Sequence, residues 1–229
     1  MLEKPENLCE SVIPLPRPKS TWLDEVYLAD ACKERFLTQS DLLELGENEF
    51  FMAGMAELSE GYHVERVGAS IHTLLFTLEG RGRLTTETSV VEIEANTLTI
   101  LPAHLPFRFE LADPSQNWKM AWVLLQSSGK WQPLVKSGQR VEPSYLCEQI
   151  WSVLNLYHSE IGGRSSYRKL FASELSRLLL GSVSNAPSNS VLRVQSVFNE
   201  VESQLHHPWT VKGIAKQSYI SVEQLNRIC

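Results

Sequence analysis

Three things are scarce in this chain of 229 residues: cysteine, long apolar runs and an excess of positive charge. The four cysteines, at 9, 32, 147 and 229, form no Cys-x-x-Cys pair and no group with zinc-ligand spacing. That points away from a disulfide framework and a structural metal, and towards free thiols in a reducing compartment. No apolar run approaches the roughly 20 residues that a transmembrane helix needs. The N-terminus, Met1-Leu2-Glu3-Lys4-Pro5-Glu6, lacks the basic start and apolar core of a secretory signal. The expectation is a cytoplasmic protein with no membrane partner. The formal net charge of −6 argues against a nucleic-acid binder when taken over the whole chain. It is unevenly spread: residues 191–229 carry +1 and the remainder −7.

What is present is an ordinary globular mixture, 43% hydrophobic and 21% charged. That is enough for one large domain or two small ones. Residues 1–20 hold Pro5, Pro14, Pro16 and Pro18, which predicts an extended arm. A short helix is expected near 40–45. From Phe50 to about Gln126 the texture is β. Short runs at 71–78, 90–93, 97–101 and 120–126 are rich in Val, Ile, Leu, Thr and aromatics and are separated by turn residues. Glu79-Gly80-Arg81-Gly82 has the composition of a reversing turn. Many short strands at this spacing predict a sandwich or barrel.

After Pro143 the period changes to 3.6. Apolar residues recur over 145–161 (Leu146, Ile150, Val153, Leu154, Tyr157). After Gly162-Gly163 they recur over 166–180 (Tyr167, Leu170, Phe171, Leu175, Leu178, Leu179). Two amphipathic helices follow. Segment 182–190, Ser-Val-Ser-Asn-Ala-Pro-Ser-Asn-Ser, is small and polar and is expected to be a linker. The organisation is thus an arm (1–20), a β-rich domain with two helices (21–181), a linker (182–190) and a helical segment (191–229). The fold class is α+β.

The helical segment carries the most specific signal. Residues 191–205 place Val191, Val194, Val197, Phe198, Val201 and Leu205 on one face. Thr210 is placed to cap a second helix, Val211–Gln217. Ser221 caps a third and forms a Ser-x-x-Gln capping box with Gln224. Ala215 is small where helices must approach, and Ile220 is an apolar plug in the turn. This is the form of a helix-turn-helix. An ordinary helical hairpin has the same spacing, so spacing alone leaves both open. The exposed face of the last helix carries Glu223, Asn226 and Arg227. Asn pairs bidentately with adenine, and Arg with guanine, in the major groove.

Residues 210–229, with Ile214-Ala215, Ile220-Ser221, Leu225 and Arg227 after Pro208-Trp209-Thr210, resemble the first helix-turn-helix of the AraC family. The resemblance implies a sequence-specific DNA-binding transcription regulator, with Ser221, Val222, Glu223, Asn226 and Arg227 as DNA-reading candidates. In that family a second helix-turn-helix follows. Here the sequence ends at Cys229, where the family usually has Phe. The expectation is a half reader that binds DNA weakly, or a ligand-binding and dimerising protein with little DNA binding of its own.

The β region resembles the cupin-like effector-binding domain of the same family. Gly61-Tyr62-His63-Val64-Glu65-Arg66, Leu74–Gly82, Thr99-Ile100-Leu101-Pro102, and Trp118 with Trp122 carry that resemblance. It implies a barrel with a small-molecule effector pocket, and a homodimer built through the two helices. Candidate effector-binding residues are Arg66, His104, Trp118 and Trp122. Arg66 is suited to clamp a carboxylate or hydroxyls, or else sits in a surface ion pair. Each Trp is suited to stack on a ring, or else is plain core. Many cupins hold a catalytic metal. Here His63, His72 and His104 are scattered, no His-x-His occurs, and Phe107 stands where related sequences often have His. No enzyme activity, no metal and no cofactor are expected.

Overall fold

The computed structural model describes residues 21–181, Val194, Val197, Phe198, Val201 and 206–228. The expected arm, the linker and most of helix 191–205 lie outside the described residues. The chain divides into two compact units, Met1–Leu178 and Leu179–Cys229.

Among the described residues of the first unit, eleven strands make two antiparallel sheets. They are β1 (Glu25–Leu28), β2 (Lys33–Thr38), β3 (Phe50–Leu58), β4 (Tyr62–Arg66), β5 (Ile71–Glu79), β6 (Gly82–Thr85), β7 (Val90–Ile93), β8 (Thr97–Leu101), β9 (Phe107–Leu111), β10 (Trp118–Gln126) and β11 (Arg140–Pro143). One sheet runs β1-β4-β9-β6-β7 and the other β11-β8-β5-β10-β3-β2. A turn follows β5, with Gly80 at φ 72°, but it does not fold two strands back on each other: β5 and β6 belong to different sheets, so the chain crosses from one sheet to the other there.

Alternation sorts the side chains between faces. On β10, Trp118, Met120 and Trp122 point between the sheets. They join Ala56 and Leu58 of β3, Tyr62 of β4, Leu75 of β5, Leu84 of β6, and Phe107, Phe109 and Leu111 of β9 in one interior core. The outer face of the five-stranded sheet is polar. It carries an ion-pair ladder in which Arg108 bridges Glu65 (3.1 Å) and Glu110 (2.8 Å), and Arg83 lies 3.8 Å from Glu110. Glu65 is fully buried there, accepting the Leu23 backbone N–H at 2.7 Å.

The helices of this unit are α1 (Leu43–Glu47), α2 (Gln132–Val135), α3 (Cys147–Ser159) and α4 (Ser165–Gly181). The expected short helix near 40–45 begins three residues later, at Leu43. Helix α3 lies on the outer face of the six-stranded sheet, packing against β2, β3, β5 and β10. It buries Cys147, Ile150, Leu154 and Tyr157; Ile150, Leu154 and Tyr157 belong to the stripe read from sequence, whereas Leu146 and Val153 are only half-buried and Cys147 takes a place the stripe did not include. Arg168 of α4 reaches the buried carboxylate of Glu44 at 3.1 Å and so ties α4 to α1. Burial raises the Glu44 pKa, but its backbone hydrogen bond, Arg168 and Ser165 outweigh that and hold it below the usual value.

In the second unit, α5 (Val211–Gln217) and α6 (Val222–Ile228) are joined by a short turn. Thr210 accepts a hydrogen bond from the Gly213 N–H at 3.1 Å. Ser221 and Gln224 form the reciprocal capping box, both bonds 3.1 Å. The Ile220 N–H donates to the Ala215 carbonyl at 3.0 Å, and Tyr219 takes φ 56° to make the bend. Val194, Val197, Ile214, Ala215 and Leu225 form a small core, with Phe198, Val201, Trp209, Ile220 and Val222 packed against it.

Candidate functional site

The interior between the two sheets is not filled evenly. At one end the core closes over Trp118. At the other it leaves a cavity of ≈ 330 Å³, near the lower end of the roughly 300–1,000 Å³ usual for small-molecule sites. The six-stranded sheet contributes Glu34 and Phe36 (β2), Phe51 and Met52 (β3), Ile71, Thr73 and Leu75 (β5), and Trp122 and Leu124 (β10). The other sheet contributes Val26 (β1), Tyr62, Val64 and Arg66 (β4), and Phe107 and Phe109 (β9). The walls are mostly aromatic and aliphatic, with a few polar groups turned inward, as expected of a small-molecule site.

Local sequence builds each part. Tyr62, Val64 and Arg66 alternate along β4 and therefore share its inner face. A register shift between Leu124 and Leu125 opposes Leu124 to Met52 and Leu125 to Phe50. This bulge leaves Phe51 unpaired, and its side chain reaches the cavity edge. Val26, Phe36 and Phe51 are substantially exposed, so the rim is apolar. Trp122 lies across the sheet from Gly54. A Cβ on Gly54 would come within 2.3 Å of the indole. Glycine at this position is what lets the ring lie down on β3 and leaves space above it.

Two of the four effector-site candidates come together here. Arg66 lines the cavity, and its Nη1 donates to the backbone carbonyls of Glu25 (3.3 Å) and Glu65 (3.0 Å). Among the described residues it has no carboxylate within ion-pair distance. Trp122 lines the cavity beside Phe36, ring centroids 5.8 Å apart. The other two lie elsewhere. Trp118 is fully buried in the packed end, where its Nε1 donates to the Thr77 hydroxyl at 3.2 Å. His104 is exposed on the β8–β9 loop at φ 66°, its N–H bonded to the Ala69 carbonyl.

Sequence reasoning missed Glu34, Tyr62 and Phe36. Among the described residues Glu34 makes no ion pair and no hydrogen bond of ordinary geometry. Burial lifts its pKa, and a partial offset comes from the Trp122 N–H. That N–H is itself buried without a well-formed hydrogen bond, so the contact is long or poorly aligned. Burial also raises the Tyr62 phenol; Glu34 and then Cys32 push it the same way, and Arg66 opposes them. The Tyr62 phenol is thus within electrostatic reach of both Glu34 and Arg66, which line the same cavity.

The two other histidines of the barrel strands, His63 and His72, face away from the cavity. His63 lies on the outer face of β4, 3.4 Å from the Glu25 carboxylate and stacked on Tyr27. His72 accepts the Ala103 N–H at 2.8 Å on its Nδ1. Among the described residues no three of His, Cys, Asp and Glu come together as a metal set. In the same residues no helix is long and apolar enough to cross a membrane.

An antiparallel double-sheet barrel with a hollow, mostly apolar interior is a cupin-like ligand-binding architecture. Residues 56–180 match the family model of the AraC-like ligand binding domain, and the chain belongs to that family. The crystal structure of the AraC-like transcriptional activator CuxR is similar over 89% of this chain and 78% of that one, at 12% identity and TM-score 0.47. Protein Ylba from E. coli is similar over 50% of this chain and 45% of its own, at 13% identity and TM-score 0.39. A cupin superfamily protein from Desulfitobacterium hafniense is similar over 49% of this chain and 95% of its own, at 19% identity and TM-score 0.34. Among curated proteins there is no match.

Proposed function

We propose that this chain is a transcription regulator of AraC type, a binding protein and not an enzyme. A small-molecule effector occupies the barrel cavity, and α6 reads DNA. The observation that carries the reading is an AraC-like ligand binding domain followed in the same chain by two helices with a Thr cap, a capping box and an apolar turn plug. Glu223, Asn226 and Arg227 are exposed on α6, and Ser221 caps it. Val222 packs against the small core, so its part is support more than base contact. Asn226 and Arg227 supply adenine- and guanine-type bidentate contacts. With net +1 over residues 191–229, phosphate attraction is small, and a homodimer doubles it. Leu156 of α3 and Tyr167 and Leu170 of α4 are exposed apolar residues suited to that contact.

The test is fluorescence anisotropy with DNA from upstream of the protein's own coding sequence. The expected result is specific binding that weakens as salt rises and falls by about 1–3 kcal/mol in Arg227→Ala. Binding indifferent to sequence, or unchanged in that variant, overturns the reading. Sedimentation of the wild type against Leu170→Glu tests the homodimer.

A further inference from the structure

The cavity has two polar ends. Tyr62 and Arg66 sit four residues apart on β4, so about 13 Å of strand separates them. Glu34 belongs to the Tyr62 end: it pairs with Ala56, which in turn pairs with Met120, two residues from the Trp118 that meets Tyr62 edge-on. Between the ends lie Phe36 and Trp122, both opposite Gly54, and Phe109, opposite Val64; Phe107 stands opposite Arg66. Arg66 already has two carbonyl partners. Among the described residues the Glu34 carboxylate has no ion pair and only the poorly formed contact with the Trp122 N–H, and it shares the cavity wall with aromatic rings. A desolvated carboxylate is costly unless something pairs with it. Aromatic faces beside it attract the same kind of partner, a cation.

We propose that the effector is an amine: a flat apolar body seated on Trp122 and Phe36, with a protonated nitrogen that pairs with Glu34. This rests on the cavity being the effector site. The ammonium donates to a half-buried carboxylate whose one protein contact, the Trp122 N–H, is poorly formed. Its charge is held further by the ring faces of Trp122 and Tyr62. Arg66, at the far end, disfavours a second cationic group there and accepts an oxygen-bearing tail. A neutral ligand of the same shape gains the stacking and leaves Glu34 unpaired. An acid is repelled from the Glu34 end.

The experiment is calorimetric titration of the full chain with three probes of one shape: 2-phenylethylamine, 2-phenylethanol and phenylacetate. The amine is expected to bind at least about tenfold tighter than the alcohol, the usual scale of a charge-assisted pair. Glu34→Gln brings the amine down to the level of the alcohol and leaves the alcohol unchanged. Glu34→Asp, which keeps the charge and withdraws it, falls between them. Thermal melts of both variants check folding. If the alcohol or the acid binds as tightly as the amine, and Trp122→Ala weakens it, the amine assignment fails while the cavity remains the site. If probes bind but Trp122→Ala changes nothing, the cavity itself is the wrong site. If none of the three binds at millimolar concentration, the amine assignment fails outright.

Discussion

Trp118 and Trp122 stand four residues apart on the same face of β10, and each lies over a glycine. Trp118 covers Gly82 of β6 and Trp122 covers Gly54 of β3. Their surroundings differ. Trp118 meets Tyr62 and Phe109 edge-on at centroid distances of 6.4 and 6.3 Å, and its N–H is satisfied by Thr77. Trp122 has Phe36 on one side, the cavity on the other, and an N–H without a well-formed bond. One end of the barrel is therefore finished by the protein itself. The other has an indole, a carboxylate and an apolar rim that a ligand would complete. The same sheet pair packs tightly at one end and leaves a cavity at the other.

Truncation should separate the two ends most strongly. Trp118→Ala removes a fully buried ring from a closed core, and the expected cost is about 3–5 kcal/mol in urea unfolding. Trp122→Ala removes a ring already half-faced by empty space, so a clearly smaller loss is expected in the same measurement. Equal losses would mean that the hollow end is as tightly packed as the other.

The glycines give the next contrast. A Cβ on Gly82 would fall 2.4 Å from the Trp118 ring, which has nowhere to go. Gly82→Ala should cost about 1–3 kcal/mol by overpacking. A Cβ on Gly54 meets the Trp122 ring at 2.3 Å and the Arg35 carbonyl at 2.8 Å. The indole can yield into the cavity, though the carbonyl cannot. Gly54→Ala should therefore cost less stability and reduce probe binding by filling the hollow, as read by calorimetry alongside thermal melts.

The two ends were not equally legible in the sequence. The strands at Val90–Ile93 and Thr97–Leu101 fall where the apolar runs place them, and β5 and β10 differ from the expected runs only at their ends. The strands β1, β2 and β11 carry no readable period, and all three are sheet edges. Edge strands are kept soluble by charge and proline, as Lys33, Glu34, Arg35 and Pro143 illustrate here. Glu34 and Phe36 lie on one of those edges, so the charge pattern that protects the strand also hid its contribution to the cavity. Arg66 and Trp122 were legible because they sit in strands whose resemblance to a ligand-binding barrel could be quoted residue by residue. Nothing in the spacing told Trp118 from Trp122. The difference is made by neighbours distant in sequence, Thr77 for one and Glu34 for the other. His104 was misplaced because the loop after Pro102 carries its side chain outside the barrel.

The smallest effect is also the one with a definite sign. Burial raises the Glu34 pKa above its unfolded value. Below the unfolded value the group is protonated in both states and costs nothing. As pH rises through the folded value, the folded protein must ionise a desolvated carboxyl, and stability is lost. The Trp122 N–H offsets part of that rise, and Tyr62 and Arg66 are the other ionisable side chains that line the cavity. Glu34→Gln removes the titration, so the variant should melt slightly higher than the wild type near neutral pH. The advantage should shrink to nothing in acid below the unfolded carboxylate value, when both proteins are followed by thermal melts from acid to neutral pH. A saturating amine probe should close the same gap from the other side, by stabilising the wild type more than the variant. A wild type that melts higher than Glu34→Gln at neutral pH without ligand would show that the carboxylate is already well paired, and the contrast between the two ends of the barrel would lose its electrostatic half.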